Sequence, residues 1–228
     1  MSWALVPAAG SGRRFGGEVP KQYLQAAGKP LLAHALDALL AHPRIDGAVV
    51  ALAEGDARWP GWTVLHGKPV VTCIGGGERA DSVLAALRAL PTCVADDALL
   101  LVHDAARPNL RANDIGKLVD AATACADGAI LAAPVRDTLK RAGVDDRIEA
   151  TEPRERLWRA LTPQAFRRAL LRRALEAAQA EGVAVTDEAM AVERLGLHPR
   201  LVEGREDNIK VTTPADLALV EFLLTRQT

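Results

Sequence analysis

What this sequence lacks narrows its function first. Cysteine is scarce, at positions 73, 93 and 125 only. The number is odd, the spacing wide and no C-x-x-C pair occurs, so neither a disulfide framework nor a zinc site is predicted. Each cysteine reads as a small buried hydrophobe in a reducing, cytoplasmic setting. No apolar run approaches the roughly 18 residues of a membrane span. No basic segment precedes the short apolar run at the start, which argues against a signal peptide. An excess of one charge is missing too: 28 Lys and Arg stand against 29 Asp and Glu, for a net charge of −1. That balance argues against a broad nucleic-acid-binding face or an electrostatic membrane anchor, so any functional cations must be concentrated locally. A Walker A string, G-x-x-x-x-G-K-[ST], is absent, as are internal repeats and low-complexity linkers.

What is present points to one stretch, Ala4 to Tyr23 (ALVPAAGSGRRFGGEVPKQY). It reads as a short strand, Trp3 to Val6, opening into a loop with glycines at 10, 12, 16 and 17 and cations at Arg13, Arg14 and Lys21. Glycines let the backbone bring bare N–H groups close to an anion. A dinucleotide fingerprint would want an acidic residue about 20 residues further on, and here the second strand ends much later, near Glu54. A pyrophosphate at a helix N-terminus needs few cations, whereas a triphosphate about to be cleaved needs several. The loop is therefore read as a nucleoside triphosphate cradle.

The chain of 228 residues, 49% hydrophobic and 25% charged, is long enough for one large domain, 1–228, with a core of its own. Pro30 to Leu40 has helical spacing, ending at His42-Pro43, and Gly47 to Ala53 is an apolar run of strand length, as in a strand covered on both faces. Val64 to Ile74 reads as a short strand broken by Pro69 and leads to Gly75-Gly76-Gly77. A helix starts near Asp81, with Val83, Leu84, Leu87 and Leu90 on one face. Ala98 to Val102 is the most apolar strand and ends in His103-Asp104; ligands in open α/β sheets lie at such carboxyl ends, which singles out Asp104. His103 reads as a packed strand-end histidine. A helix over Asn113 to Ala126 and a strand over Gly128 to Val135 follow. Thr138 to Ala142 and Arg147 to Glu152 then read as a polar hairpin with too little apolar surface to stand alone, so packing on a second subunit is predicted. Thr162-Pro163 looks like a cap and N1 proline before an arginine-rich helix reaching Ala180. Thr186-Asp187-Glu188 begins another helix, Leu197 to Val202 a last strand, and Thr213-Pro214 the terminal helix. The alternation predicts an α/β protein with a mostly parallel sheet.

Together the blocks VPAAGSGRRFG, PKQYL, GGGERADSV, LVHDAARP, ILAAPVRDTLKR, LWRALTPQ, TDEA and EGREDNIKVTTPADLALVEFLL resemble the 2-C-methyl-D-erythritol 4-phosphate cytidylyltransferases, in that family's order and over nearly the whole chain. The resemblance implies a Rossmann-like nucleotidyltransferase fold with a protruding β-hairpin arm, residues 137–157, that locks a homodimer. It implies transfer of CMP from CTP to methylerythritol phosphate, with Mg²⁺ as the metal. By the family's pattern Arg14, Lys21 and Lys210 contact the triphosphate and the phosphorus under attack, and Asp104 and Asp207 hold Mg²⁺. Pro7, Ala8, Ala9 and Gly10 with Gly76 and Ser82 enclose the cytidine. Thr138, Arg154 and Thr186 meet methylerythritol phosphate, Arg154 reaching from the other subunit's arm. The sequence departs from the family at Gly77, where an acidic residue often accepts from the cytosine amino group, which leaves Glu78 or backbone carbonyls to read the base.

The expected chemistry suits these residue types. Attack on the α-phosphorus builds charge that positioned cations stabilise. The attacking phosphomonoester, with a second pKa of about 6, needs no general base. Mg²⁺ takes one or two carboxylates plus phosphates and water. Two other readings share parts of this pattern: a cytidylyltransferase for another polyol phosphate such as ribitol 5-phosphate, and a non-catalytic nucleotide-binding regulatory module.

Overall fold

The computed structural model of the chain describes residues 1–10 and 19–226. In chain order its elements are β1 (Ser2–Ala8), a 3₁₀ turn (Lys21–Tyr23), β2 (Gln25–Ala26), β3 (Lys29–Pro30), α1 (Leu31–Leu40), β4 (Gly47–Leu52), β5 (Val64–Leu65), β6 (Lys68–Ile74), α2 (Arg79–Arg88) and β7 (Leu99–Val102). There follow α3 (Ala112–Ala124), β8 (Ala129–Pro134), β9 (Leu139–Ala142), β10 (Ile148–Glu152), β11 (Trp158–Arg167), α4 (Arg168–Ala180), α5 (Glu188–Glu193), β12 (Arg200–Glu203) and α6 (Pro214–Thr225).

Eight strands form one sheet in the order β12-β8-β11-β7-β1-β4-β6-β5. β1 runs parallel to both β4 and β7, β4 to β6, and β8 to β12, while β11 is antiparallel to its neighbours β7 and β8. From β1 the chain moves out through β4 to β6, then returns to place β7 on the other side of β1. That reversal opens a crevice beyond the carboxyl ends of β1 and β7.

Strand alternation sorts the core onto two faces. Ala4, Val6 and Ala8 of β1 pack with Leu32 and Leu36 of α1 and Ile115 and Leu118 of α3. Trp3 and Leu5 pack with Val83 and Leu87 of α2 and Leu171 and Leu175 of α4. Each such leucine, when fully buried, contributes about 1.5–3 kcal/mol. A third, smaller cluster joins Ala26, Leu31, Val211 and Val220, with Leu24 and Ile209 against it. It ties the chain just after Lys21 to the chain flanking Lys210 beneath α6.

Three expectations are corrected. Thr162-Pro163 does not start a helix: both residues lie within β11, across a cis bond, and α4 begins only at Arg168. Proline fits there because the ladder to β8 shifts register between Ala160 and Gln164, leaving no pairing N–H for it to remove. Pro69 likewise does not break its strand, since β6 runs through it and pairing with β4 starts at Val70. Cys93 is exposed, and Cys73 and Cys125 are only partly buried, so none is a fully buried hydrophobe.

The hairpin appears as expected, β9 pairing antiparallel with β10 in a sheet of their own. Its face is polar, with Lys140 Nζ donating to Thr151 Oγ1 at 2.6 Å and Arg141 Nε to Glu152 Oε1 at 2.6 Å. Val144 and Ile148 project as exposed apolar side chains.

Tightness at the start of β8 gives a stability prediction. Gly128 has φ +86°, and a Cβ there would lie 2.3 Å from Phe166 Cδ1 and 2.7 Å from the Ala165 carbonyl oxygen. Gly128→Ala is therefore expected to lower unfolding stability by about 1–3 kcal/mol, read from the urea midpoint. An unchanged midpoint would show that the β8–β11 junction has more room than this.

Candidate active site

The crevice is walled by five segments. The end of β1 supplies Pro7, Ala8, Ala9 and Gly10; the 3₁₀ turn supplies Lys21 and Gln22; the β6–α2 junction supplies Gly76 through Arg79 and Ser82; Asp104 to Ala106 and Lys210 complete it. Of the predicted site residues, the structure thus brings together Pro7, Ala8, Ala9, Gly10, Gly76, Ser82, Lys21, Lys210 and Asp104. Arg14 and most of the glycine loop lie outside the described residues.

Each wall is held by a specific contact. Gln22, buried, donates from Nε2 to the Ala8 carbonyl at 2.7 Å, fastening the turn that carries Lys21 to the end of β1. Ser82 Oγ accepts from the Gly76 N–H at 3.2 Å. Glycine is required at 76 because a Cβ would sit 2.2 Å from Asp81 Cβ, whereas a Cβ on Gly77 meets nothing within 4 Å. Asp81 Oδ2 accepts from the Glu78 N–H at 3.1 Å at the start of α2. The Glu78 side chain stays exposed in the cleft wall.

Asp104 is the electrostatic centre. Its Oδ1 receives Arg79 Nε at 3.1 Å, and its Oδ2 receives Lys210 Nζ at 2.9 Å and Arg107 Nε at 3.4 Å. Burial alone would push this carboxyl up. Arg79, Lys210 and Arg107 outweigh burial and hold it far below the ordinary carboxylate range.

Behind Asp104 runs a chain of hydrogen bonds. Its N–H donates to Thr162 Oγ1 at 3.1 Å, and the hydroxyl pairs with His103 Nδ1 at 3.0 Å. His103 Nε2 meets the Arg107 carbonyl at 3.0 Å, which assigns the proton to Nε2 and makes Nδ1 the acceptor from Thr162. The ring is fully buried, and burial brings its pKa down to about 4. Native His103 therefore stays neutral where an unfolded histidine protonates. Stability linked to His103 is intact above about pH 6.5 and is lost as pH falls toward 4, by about 3 kcal/mol in all. Urea unfolding in chelator should show a shallower loss over that window for His103→Gln; equal slopes would discard the buried neutral histidine.

Four predicted residues do not line this cleft. Asp207 faces a separate cavity with Asp114 and Lys117, and its carboxylate pairs with Arg205 Nε at 2.9 Å. Burial pulls its carboxyl up, but Arg205 outweighs that and holds it below the ordinary range. Thr138 is exposed before β9. Arg154 is exposed and donates to the Arg136 carbonyl, at the base of the hairpin. Thr186 is exposed beside α5, with its N–H 3.4 Å from Met190 Sδ.

Sequence reasoning named none of Arg79, Arg107, Thr162, Gln164 or Glu188 as site residues. Their signal lay in strings already singled out, GGGERADSV, HDAARP, LTPQ and TDEA. What hid Thr162 and Gln164 was the assignment of that segment to a helix start rather than to a strand beside β7.

With this geometry in view, similarity to known proteins becomes specific. The family description 2-C-methyl-D-erythritol 4-phosphate cytidylyltransferase (IspD) matches residues 2–226. A protein of that name from Xanthomonas campestris pv. campestris (strain 8004) is 67% identical over 222 residues, covering 97% of this chain and 84% of the relative. One from Stenotrophomonas maltophilia (strain K279a) is 65% identical over 225 residues, covering 99% and 97%. The crystal structure of the enzyme of that name from Thermus thermophilus superposes with a TM-score of 0.79 at 34% identity, covering 97% of this chain and 98% of that one. Sequence and fold agree: this chain belongs to the 2-C-methyl-D-erythritol 4-phosphate cytidylyltransferase family.

Proposed function

We propose that the cleft transfers CMP from CTP to 2-C-methyl-D-erythritol 4-phosphate, releasing pyrophosphate and forming 4-diphosphocytidyl-2-C-methyl-D-erythritol. The observation that carries this reading is the placement of Asp104, Lys210, Arg79 and Lys21 around one crevice at the reversal of strand order. An oxygen of the acceptor's phosphate attacks the α-phosphorus. As the new P–O bond forms, the bond from the α-phosphorus to the bridging oxygen breaks, and that oxygen leaves on pyrophosphate. Lys21 and Lys210 stabilise the charge gathering on the equatorial and leaving oxygens, joined by Arg14. No side chain need remove a proton, because the phosphomonoester, with a second pKa of about 6, is already largely ionised.

Pro7 to Gly10, Gly76 and Ser82 enclose the cytidine, and the open space at Gly77 leaves Glu78 and backbone carbonyls as the groups that read the base. Among the described residues no group of three or more His, Cys, Asp or Glu is arranged as a metal cage. A single carboxylate beside a phosphate cleft fits Mg²⁺, which usually keeps waters and takes one or two carboxylates along with substrate phosphates. Asp104 would hold it only by giving up Arg79 on Oδ1 or Lys210 and Arg107 on Oδ2, and Asp207 would join only by giving up Arg205. When bound, Mg²⁺ would supply charge neutralisation between the two approaching phosphates. Thr138, Arg154 and Thr186 remain the proposed acceptor contacts, with Arg154 acting across a dimer.

The homodimer is proposed from the hairpin, to which no third strand adds and whose exposed Val144 and Ile148 have no cover among the described residues. Sedimentation should show a dimer at micromolar concentration; a monomer there would remove Arg154 from the site. The unpaired cysteines suit a reducing cytoplasm, no described helix is long and apolar enough to cross a membrane, and the net charge of −1 offers nucleic acid no broad basic face.

Pyrophosphate release, measured with CTP against each acceptor, tests the function. Turnover with methylerythritol phosphate and not with ribitol 5-phosphate is expected. The reverse preference would reassign the acceptor, and absence of CTP-dependent product with either would leave a regulatory module.

A further inference from the structure

Lys21 opens a single 3₁₀ turn, Lys21–Tyr23, that is entered from Pro20 with no side-chain cap. A turn that short has little stability of its own, so its orientation comes from what its side chains hold. Gln22 holds the end of β1, and Tyr23 holds the segment between β4 and β5. The Tyr23 ring is 7% exposed and packs in the core cluster that contains Leu32 and Leu36 of α1. Its hydroxyl donates to Asp56 Oδ2 at 2.8 Å. A phenylalanine would fill the same core, so what the hydroxyl adds is this one tie. Burial first, and then Asp56, push the ionisation of the hydroxyl above its ordinary range, so it remains a donor.

Asp56 is itself fixed. Its N–H donates to the Ala53 carbonyl at 3.2 Å, and its Oδ1 accepts from the Arg58 N–H at 3.0 Å, which leaves Oδ2 for Tyr23. Just beyond it, Trp59 and Trp62 meet edge to face with ring centres 5.3 Å apart and pack against the same core cluster as Tyr23. The segment between β4 and β5 is thus seated on the core, and Asp56 offers its carboxylate from a firm base. Asp56 does not line the cleft, whereas Lys21 and Gln22 do, so its reach into the site runs through the turn.

We propose that Asp56 is a positioning residue that, through Tyr23, fixes the turn carrying Lys21 from outside the cleft. This rests on the reading of Lys21 as a catalytic cation. Gln22 ties the turn to β1, Leu24 packs against the cluster beneath α6, and the Tyr23–Asp56 bond is the polar tie on the β4 side. A misplacement of about 1 Å caused far from the chemistry can cost on the order of 10²-fold in rate. Loss of one tie while the others persist should cost about tenfold.

The test is steady-state pyrophosphate release from CTP and methylerythritol phosphate by the full-length protein. Asp56→Ala and Tyr23→Phe should each lower kcat by about tenfold, with the KM for CTP within about twofold of wild type. Asp56→Asn keeps an oxygen for the hydroxyl and should stay within about threefold of wild type. In a Lys21→Ala background Asp56→Ala should cost nothing further, because the group through which it acts is gone. A merely structural role would cost the same factor in both backgrounds, and that result overturns the proposal. Wild-type kcat in Tyr23→Phe, or a loss confined to KM, overturns it too. If Asp56→Ala does not fold, Tyr23→Phe, which keeps the ring in the core, carries the same comparison. Near-normal kcat in Lys21→Ala overturns the reading of Lys21 and the proposal together, while a large loss there with no response at Asp56 or Tyr23 overturns the proposal alone.

Discussion

Asp104→Asn is expected to lower turnover by at least about two orders of magnitude while leaving a folded protein. The side chain keeps its size and loses its charge, so the cations at 2.9, 3.1 and 3.4 Å lose their shared anion. Breaking a buried ion pair commonly costs about 3–5 kcal/mol because the remaining charge is stranded. Here the stranding is partial. Arg79 still has Glu188, Arg107 still has the Asn208 carbonyl, and Lys210, half-exposed, can turn to water. The stability loss should therefore fall below that range, whereas the loss of activity should not be cushioned. Steady-state pyrophosphate release and urea unfolding on the same preparation separate the two effects. Turnover within about tenfold of wild type would remove Asp104 from the site, whatever the stability.

How much of this was legible in the sequence follows from the range of the interactions. Strand and helix periods are local, so β1, α1, β4, α2, β7 and the capped α6 could be read from short runs of sequence. Asp104 was legible because a strand's carboxyl end is a place that topology assigns. β11 was not legible. Leu161 to Phe166 is wholly buried between β7 and β8, so it shows no alternation, and Thr-Pro imitates a helix start. Losing β11 also lost the contacts made from it, Thr162 to Asp104 and His103, and Gln164 to the start of α5. The Glu188–Arg79 pair spans 109 positions, and no spacing rule reaches that far.

Lys21→Ala should likewise cut turnover by at least about two orders of magnitude, with a larger effect on kcat than on the KM for CTP. The split follows from where the charge develops, since a lysine aimed at oxygens that become more negative at the transition state contributes most there. The substitution leaves its neighbour in place. Gln22 keeps its 2.7 Å bond to the Ala8 carbonyl, and Tyr23 keeps its hydroxyl on Asp56 Oδ2 at 2.8 Å, so the turn persists without the ammonium group. Lys21→Arg should recover little, because a planar fork cannot occupy the place of a compact point charge among Lys210, Arg79 and the arriving phosphates. Near-normal kcat in Lys21→Ala would mean that Lys210 and the loop arginines carry the phosphorus alone. A rise confined to KM would mean that Lys21 binds the triphosphate without favouring the transition state.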